Sequence, residues 1–222
     1  DQQLSLTGNP FDILKKRMDV WSFGPDDSKQ VNGVHRFRGG AAGYFGYDLG
    51  RVLEQIPVRT KRSGDIPDMA VGIYNTVMAF SHTTGKNILY VMAGNENEAR
   101  QKAGEIFDKL KKDHATHPAN DVCDISPVKL IPVVGEREFK KDLQKVVDYI
   151  YAGDIFQANL SLRFEGQVSD GFNAFAHYLT LRELNKAPYA SFMNLNNLQI
   201  ASVSPENFLS CENGHVITRP IK

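Results

Sequence analysis

Cysteine is scarce in this chain, tryptophan scarcer, and neither charge sign is in excess. The two cysteines, Cys123 and Cys211, allow at most one bridge, so a disulfide framework is excluded as the source of stability and two free cytosolic thiols are expected. With 26 Lys+Arg against 26 Asp+Glu the formal net charge is zero, which excludes a nucleic-acid binder held by bulk positive charge. No apolar run reaches the roughly 18 to 20 residues that a membrane helix needs. The start, Asp1-Gln2-Gln3, has neither a basic region nor an apolar core of a secretory signal. A cytoplasmic protein with no membrane and no nucleic-acid partner is therefore expected. Hydrophobic residues make up 41% of the 222 and charged residues 23%, a soluble globular composition rather than a disordered one. The chain lacks an initiator Met and stops at Thr218-Arg219-Pro220-Ile221-Lys222 without a helix cap or polar tail. An interior slice of a longer protein is expected.

What is present reads as alternating strand-rich and helical stretches. The first third reads as strands and loops. In it, Gly39, Gly40, Gly43, Gly46 and Gly50 interleave with Tyr44, Phe45 and Tyr47. This spacing misses the G-x-G-x-x-G of a phosphate loop and suits a buried strand whose glycines admit close approach. Ala70 to Phe80 and Ile88 to Ala93 predict a hairpin around Thr83-Thr84-Gly85-Lys86. A helix should follow Asn95, with Glu98 completing a capping box and Ala99, Ala103, Ile106, Phe107 and Leu110 on one face. A second runs from about Glu136 to Ala152, with Phe139, Leu143, Val146, Val147 and Ile150 aligned and Gly153 as its stop.

Between these helices, residues 113–135 contain Pro118, Pro127 and Pro132 and read as a linker. His114, His117, Asp121 and Cys123 lie within it; a metal site is conceivable, but polar linker composition explains the cluster more cheaply. The expected division is thus 1–112 sheet-rich, 113–135 linker and 136–222 a second region.

From Ala158 to Phe164 apolar and polar residues alternate, predicting a strand. A third helix over Phe172 to Leu184 starts after an Asp170 cap and is closed by Pro188. A meander follows: Tyr189–Leu195, Leu198–Val203, Asn207–Cys211 and His215–Arg219, with Asn213-Gly214 as a type I′ turn signal. Hairpin strands with helices between them argue for α+β with antiparallel sheet.

No G-x-S-x-G, H-E-x-x-H or C-x-x-C motif occurs. Polar groups concentrate instead near the end of the chain, at Ser204, Glu206, Arg219 and Lys222. Pro205 and Pro220 interrupt the flanking strands, so these groups belong at strand ends, where sites are often built. An acid and an amine facing each other across a hairpin suit acid–base or amine-nucleophile chemistry. By spacing alone, solvated surface charge is the plainer reading.

Four segments carry a resemblance: G-G-A-A-G-Y-F-G-Y-D-L-G-R at 39–51, A-G-D-I-F-Q-A-N-L-S-L-R-F at 152–164, A-S-V-S-P-E-N-F-L-S at 201–210 and T-R-P-I-K at 218–222. In this order they resemble component I of the aminodeoxychorismate synthases, chorismate-utilising enzymes of the para-aminobenzoate branch. The resemblance implies an α+β sandwich of antiparallel sheets with helices packed outside, present here only in part. It implies amination of chorismate at C4 to 4-amino-4-deoxychorismate, the first step toward para-aminobenzoate and folate, with ammonia from a glutaminase partner. It implies Glu206 as the general acid on the departing 4-hydroxyl and Lys222 as the nucleophile at C2, with Ser204 and Arg219 at the substrate. A lysine must shed its proton to attack, and the charge of Arg219 next to it would lower its pKa.

Within the superfamily, anthranilate synthases usually carry P-I-A-G-T, with alanine where this chain has Lys222. Isochorismate and salicylate synthases put a water-activating lysine at the position of Gln157, which here reads as scaffold. The resemblance also implies Mg²⁺, whose glutamate ligands, with a catalytic histidine, are expected beyond Lys222, so that these 222 residues alone are expected to be inactive. The alternatives are component I of anthranilate synthase, with its tryptophan feedback site, or a non-catalytic binding module of the same fold.

Overall fold

The computed structural model describes residues 4–20, 37–58, 66–113, 128–195, 197–212 and 214–221. The chain divides into two compact units, 1–119 with 193–198, and 120–192 with 199–222. Among the described residues each ladder joins two strands, and the four whose register is defined are antiparallel.

The first unit opens with a helix that the strand-and-loop reading of this region does not anticipate. Helix α1 (Pro10–Asp19) has Asn9 as its cap, whose Oδ1 accepts from the Phe11 N–H at 3.0 Å, while Pro10 supplies a pre-set φ where no donor is needed. Its Phe11 stacks on Phe45, with ring centroids 6.2 Å apart. Phe45 closes strand β1 (Gly40–Phe45), which pairs with β2 (Met69–Tyr74) from Gly40–Tyr74 to Phe45–Met69. The close approach expected of the glycines is made to the paired strand. A Cβ on Gly43 would run into the Ala70 carbonyl and lie 2.7 Å from the Val71 Cα, so only hydrogen fits. A short 3₁₀ helix (Tyr47–Val52), also unanticipated, follows β1 and buries Leu49.

The single strand expected over Ala70 to Phe80 is two. Strand β2 ends at Tyr74 and β3 (Thr76–Phe80) begins after Asn75, because the two halves take different partners: β2 pairs with β1, and β3 with β4 (Asn87–Val91). Asn75 serves as the junction. Its carbonyl accepts from the Met92 N–H at 2.8 Å, and its Oδ1 accepts from Thr76 Oγ1 at 3.1 Å and Lys102 Nζ at 2.9 Å. Lys102 belongs to helix α2 (Glu96–Asp113), which is thereby tied to the sheet residue it follows in space. The capping box at the start of α2 is formed as expected: Glu98 N–H donates to Asn95 Oδ1 at 3.0 Å, and Asn95 Nδ2 and the Gly94 N–H donate back to the Glu98 carboxylate.

In the second unit, helix α3 (Glu136–Ala152) has the expected ends, and Gly153 at φ 82° closes it. The Asp154 N–H reaches Tyr149 O and the Gly153 N–H reaches Ile150 O, the paired bonds of a Schellman motif. The strand expected from Ala158 shrinks to β6 (Phe164–Glu165), paired with β5 (Ile131–Pro132). Alternation alone does not make a strand; a partner must supply hydrogen bonds, and β5 reaches only that far. Phe156 on this stretch is 92% exposed. Helix α4 (Ala174–Leu184) begins later than expected, and its cap is Asn173 rather than Asp170: the Ala176 N–H donates to Asn173 Oδ1 at 3.0 Å. Tyr178 of α4 is buried against Phe175 and against Phe192 of β7 (Tyr189–Leu195), with the Arg182 guanidinium 5.9 Å from its ring centre. Strand β7 pairs with β8 (Leu198–Ser204), across a connection so short that only the antiparallel sense is possible.

The α+β class with antiparallel pairing therefore stands, in partial form. The proposed linker falls mostly on residues outside the described ones, as do His114, His117, Asp121 and Cys123. Cys211 is a free, exposed thiol. Among the described residues no helix is long and apolar enough to cross a membrane.

Replacing Gly43 with Ala must push β1 and β2 apart, and a loss of about 1–3 kcal/mol is expected in urea denaturation. Asn95→Ala is expected to cost about 1 kcal/mol, read as faster amide exchange in the first turn of α2.

Candidate functional site

Strand β8 carries the chain up to Ser204, where Pro205 ends the ladder by removing a donor. Five residues later β9 (Ser210–Glu212) begins and turns, with Gly214 at φ 80°, into β10 (His215–Ile217). This ladder is shorter than the sequence pattern suggests at the end away from its turn, where Asn207 to Leu209 and Thr218 to Arg219 lie outside it; its register runs from Ser210–Ile217 to Glu212–His215. The segment that bears Glu206 is thus irregular backbone between two ladders.

Ser204 and Glu206 meet through the main chain. Ser204 is half-buried, and its Oγ donates to the Glu206 carbonyl oxygen at 3.2 Å, which commits the hydroxyl to shaping the turn. The Glu206 carboxylate is exposed, and so is Arg219. A guanidinium in solvent is screened within about 8–10 Å at physiological salt, so its charge acts only at short range. Thr218 Oγ1 donates to the Phe208 carbonyl oxygen at 2.7 Å, joining the chain just before Arg219 to the chain just after Glu206. The motif reading gives Thr218 no role. Its signal lies in the neighbouring Pro220, which cannot supply a ladder donor and leaves the work to a side chain. Lys222 lies outside the described residues. Gln157 is exposed, in backbone that is neither helix nor strand.

Elsewhere, one titrating group is clearly perturbed. Tyr44 of β1 is half-buried, and its hydroxyl donates to the Pro67 carbonyl oxygen at 2.6 Å. Burial, and secondarily the negative charge of Asp68, hold its pKa above the ordinary tyrosine value. Among the described residues no group of three or more His, Cys, Asp or Glu gathers that could hold a metal ion.

Antiparallel ladders with helices between them define an α+β scaffold, and its Ser-Pro-Glu turn is tied to a Thr-Arg-Pro strand end through the Thr218–Phe208 hydrogen bond. Residues 8–222 match the family model of the chorismate binding enzymes, and the chain belongs to that family. It is 30% identical over 223 residues to aminodeoxychorismate synthase component 1 of Escherichia coli (strain K12), covering 100% of this chain and 45% of that protein. It is 34% identical over 202 residues to anthranilate synthase component 1 of Bacillus pumilus, covering 83% of this chain and 38% of that protein. The crystal structure of anthranilate synthase component I from Streptococcus pneumoniae TIGR4 superposes with a TM-score of 0.77 at 27% identity, over 95% of this chain and 47% of that one. The chain therefore spans about half the length of the relatives it matches.

The tyrosine gives a pH signature. A raised folded-state pKa contributes stability that is complete below about pH 10 and is lost as the pH rises through the folded value. Urea midpoints should hold up to about pH 10 and fall above it; Tyr44→Phe should flatten that alkaline limb and cost about 1 kcal/mol at neutral pH, the worth of the bond to Pro67.

Proposed function

We propose that the full-length protein to which this chain corresponds aminates chorismate at C4, using ammonia, to give 4-amino-4-deoxychorismate. The observation that carries the reading is Lys222 in P-I-K, at a position where anthranilate synthases usually have alanine, in a chain matched over its whole length by an aminodeoxychorismate synthase component 1. The Lys222 amine attacks C2 of the ring as the 4-hydroxyl leaves. Glu206 donates the proton that lets that oxygen depart as water. Ammonia then adds at C4, the ring double bond shifts back, and the lysine amine is expelled from C2 to be reprotonated. Glu206 is exposed on irregular backbone, where a ligand can reach its carboxyl group.

Chorismate carries two carboxylates, so a chain of zero net charge needs only a local cationic patch to receive it, for which Arg219 is the candidate. A glutaminase subunit supplying ammonia and a requirement for Mg²⁺ belong to the same proposal. The described residues do not fit a metal site, and no step here passes through one.

A second reading, anthranilate synthesis, is favoured by the higher identity to the Bacillus pumilus enzyme over most of the chain and by the structural likeness. The two differ in product. Full-length protein incubated with chorismate, ammonium and Mg²⁺ should release aminodeoxychorismate, identified by mass and chromatography; anthranilate as the product would overturn the branch assignment. Lys222→Ala is expected to lower C4 amination by about a thousandfold or more, and Glu206→Gln by about a hundredfold or more. Unchanged turnover in either variant removes the role given to that residue.

A further inference from the structure

We propose that Thr218 is a positioning residue for this reaction, a hydroxyl clamp that fixes the general acid relative to the strand end bearing Arg219 and leading to Lys222. The inference rests on the functional reading above for its catalytic consequence, though the clamp itself is a structural matter.

The need for a clamp follows from two prolines. The β9–β10 ladder stops at Ser210–Ile217. Extending it toward the site would place Thr218 opposite Leu209 and then bring Pro220 into line, but Pro220 has no N–H to donate. On the other side Pro205 ends β8 in the same way. Glu206 is thus suspended between two ladders that cannot grow toward it. Two side-chain hydroxyls grip the span instead: Ser204 Oγ holds the Glu206 carbonyl at 3.2 Å, and Thr218 Oγ1 holds the Phe208 carbonyl at 2.7 Å.

These two bonds differ in kind. The Ser204 bond is local, shaping a turn within three residues. The Thr218 bond spans ten residues and is the one that joins the acid's segment to the opposing strand end. Threonine suits the task because branching at Cβ restricts χ1, so the hydroxyl is aimed rather than free to swing. Nothing in the chemistry asks Thr218 to touch the substrate; it acts through where Glu206 stands, and small misplacements of a reacting group are costly in rate.

Serine and valine separate this role from packing. Valine keeps the branched shape and loses the hydroxyl, whereas serine keeps the hydroxyl and loses the methyl. In the full-length protein, Thr218→Val is expected to lower kcat by roughly ten- to a hundredfold with KM for chorismate little changed, and Thr218→Ser to recover most of that loss. Amide exchange in the adjoining ladder, Ser210 to Glu212 and His215 to Ile217, measured on the same proteins, should quicken by about tenfold in Thr218→Val and stay near the parent rate in Thr218→Ser. Valine performing as well as serine, or a rise in KM with kcat retained, overturns the proposal. Unchanged exchange in the valine variant overturns it too, whatever the enzyme's reaction. A parent that does not aminate C4 would defeat the functional reading, while exchange would still decide the clamp.

Discussion

Antiparallel backbone pairing is the interaction on which the rest of this structure depends, because little else is available to hold it. Among the described residues only Gly40, Leu49, Ala79 and Tyr178 are buried, while side chains as large as Tyr151, Phe156 and Phe208 stand almost wholly in solvent. Apolar burial, usually the dominant favourable contribution to folding, is therefore modest here. Ladder hydrogen bonds and helix caps carry a correspondingly larger share of the order. Among the described residues each ladder joins two strands, and a two-stranded unit is marginal by itself. The exposed apolar faces agree with a chain that spans about half the length of its relatives.

Much of what depends on residues near each other in sequence is legible in the sequence itself. The Asn95–Glu98 box, the ends of α3 with its Gly153 stop, and the β7 and β8 strands all follow from caps, period and turn residues. What is hardest to read depends on partners far along the chain. The split at Asn75 exists because β1 claims one half of an apparently continuous strand and β4 the other, and no local pattern marks that change. The stretch 158–164 shows the converse, a faithful alternation that among the described residues is paired only at its end. Helix α1 had a readable signal, Asn9 before Pro10, that the strand-like character of the following region obscured.

The candidate site divides the same way. Its residue types could be read from S-P-E and T-R-P-I-K, because two prolines beside charged groups mark strand ends. That Ser204 spends its hydroxyl on the Glu206 carbonyl could not, since hydroxyl orientation is a property of the folded turn. The same holds for Thr218, which looks like an ordinary β-branched strand residue until its partner, ten positions away, is seen.

Asn75 has a mechanical meaning as well as a topological one. Strands β2 and β3 continue one into the other through this residue, so the two ladders are coupled in series, like two links sharing one rivet. Load applied along either strand passes through a single residue, braced laterally by Lys102 of α2 and Met92 beyond β4. Helix, strand and hairpin are thereby held in register at one point.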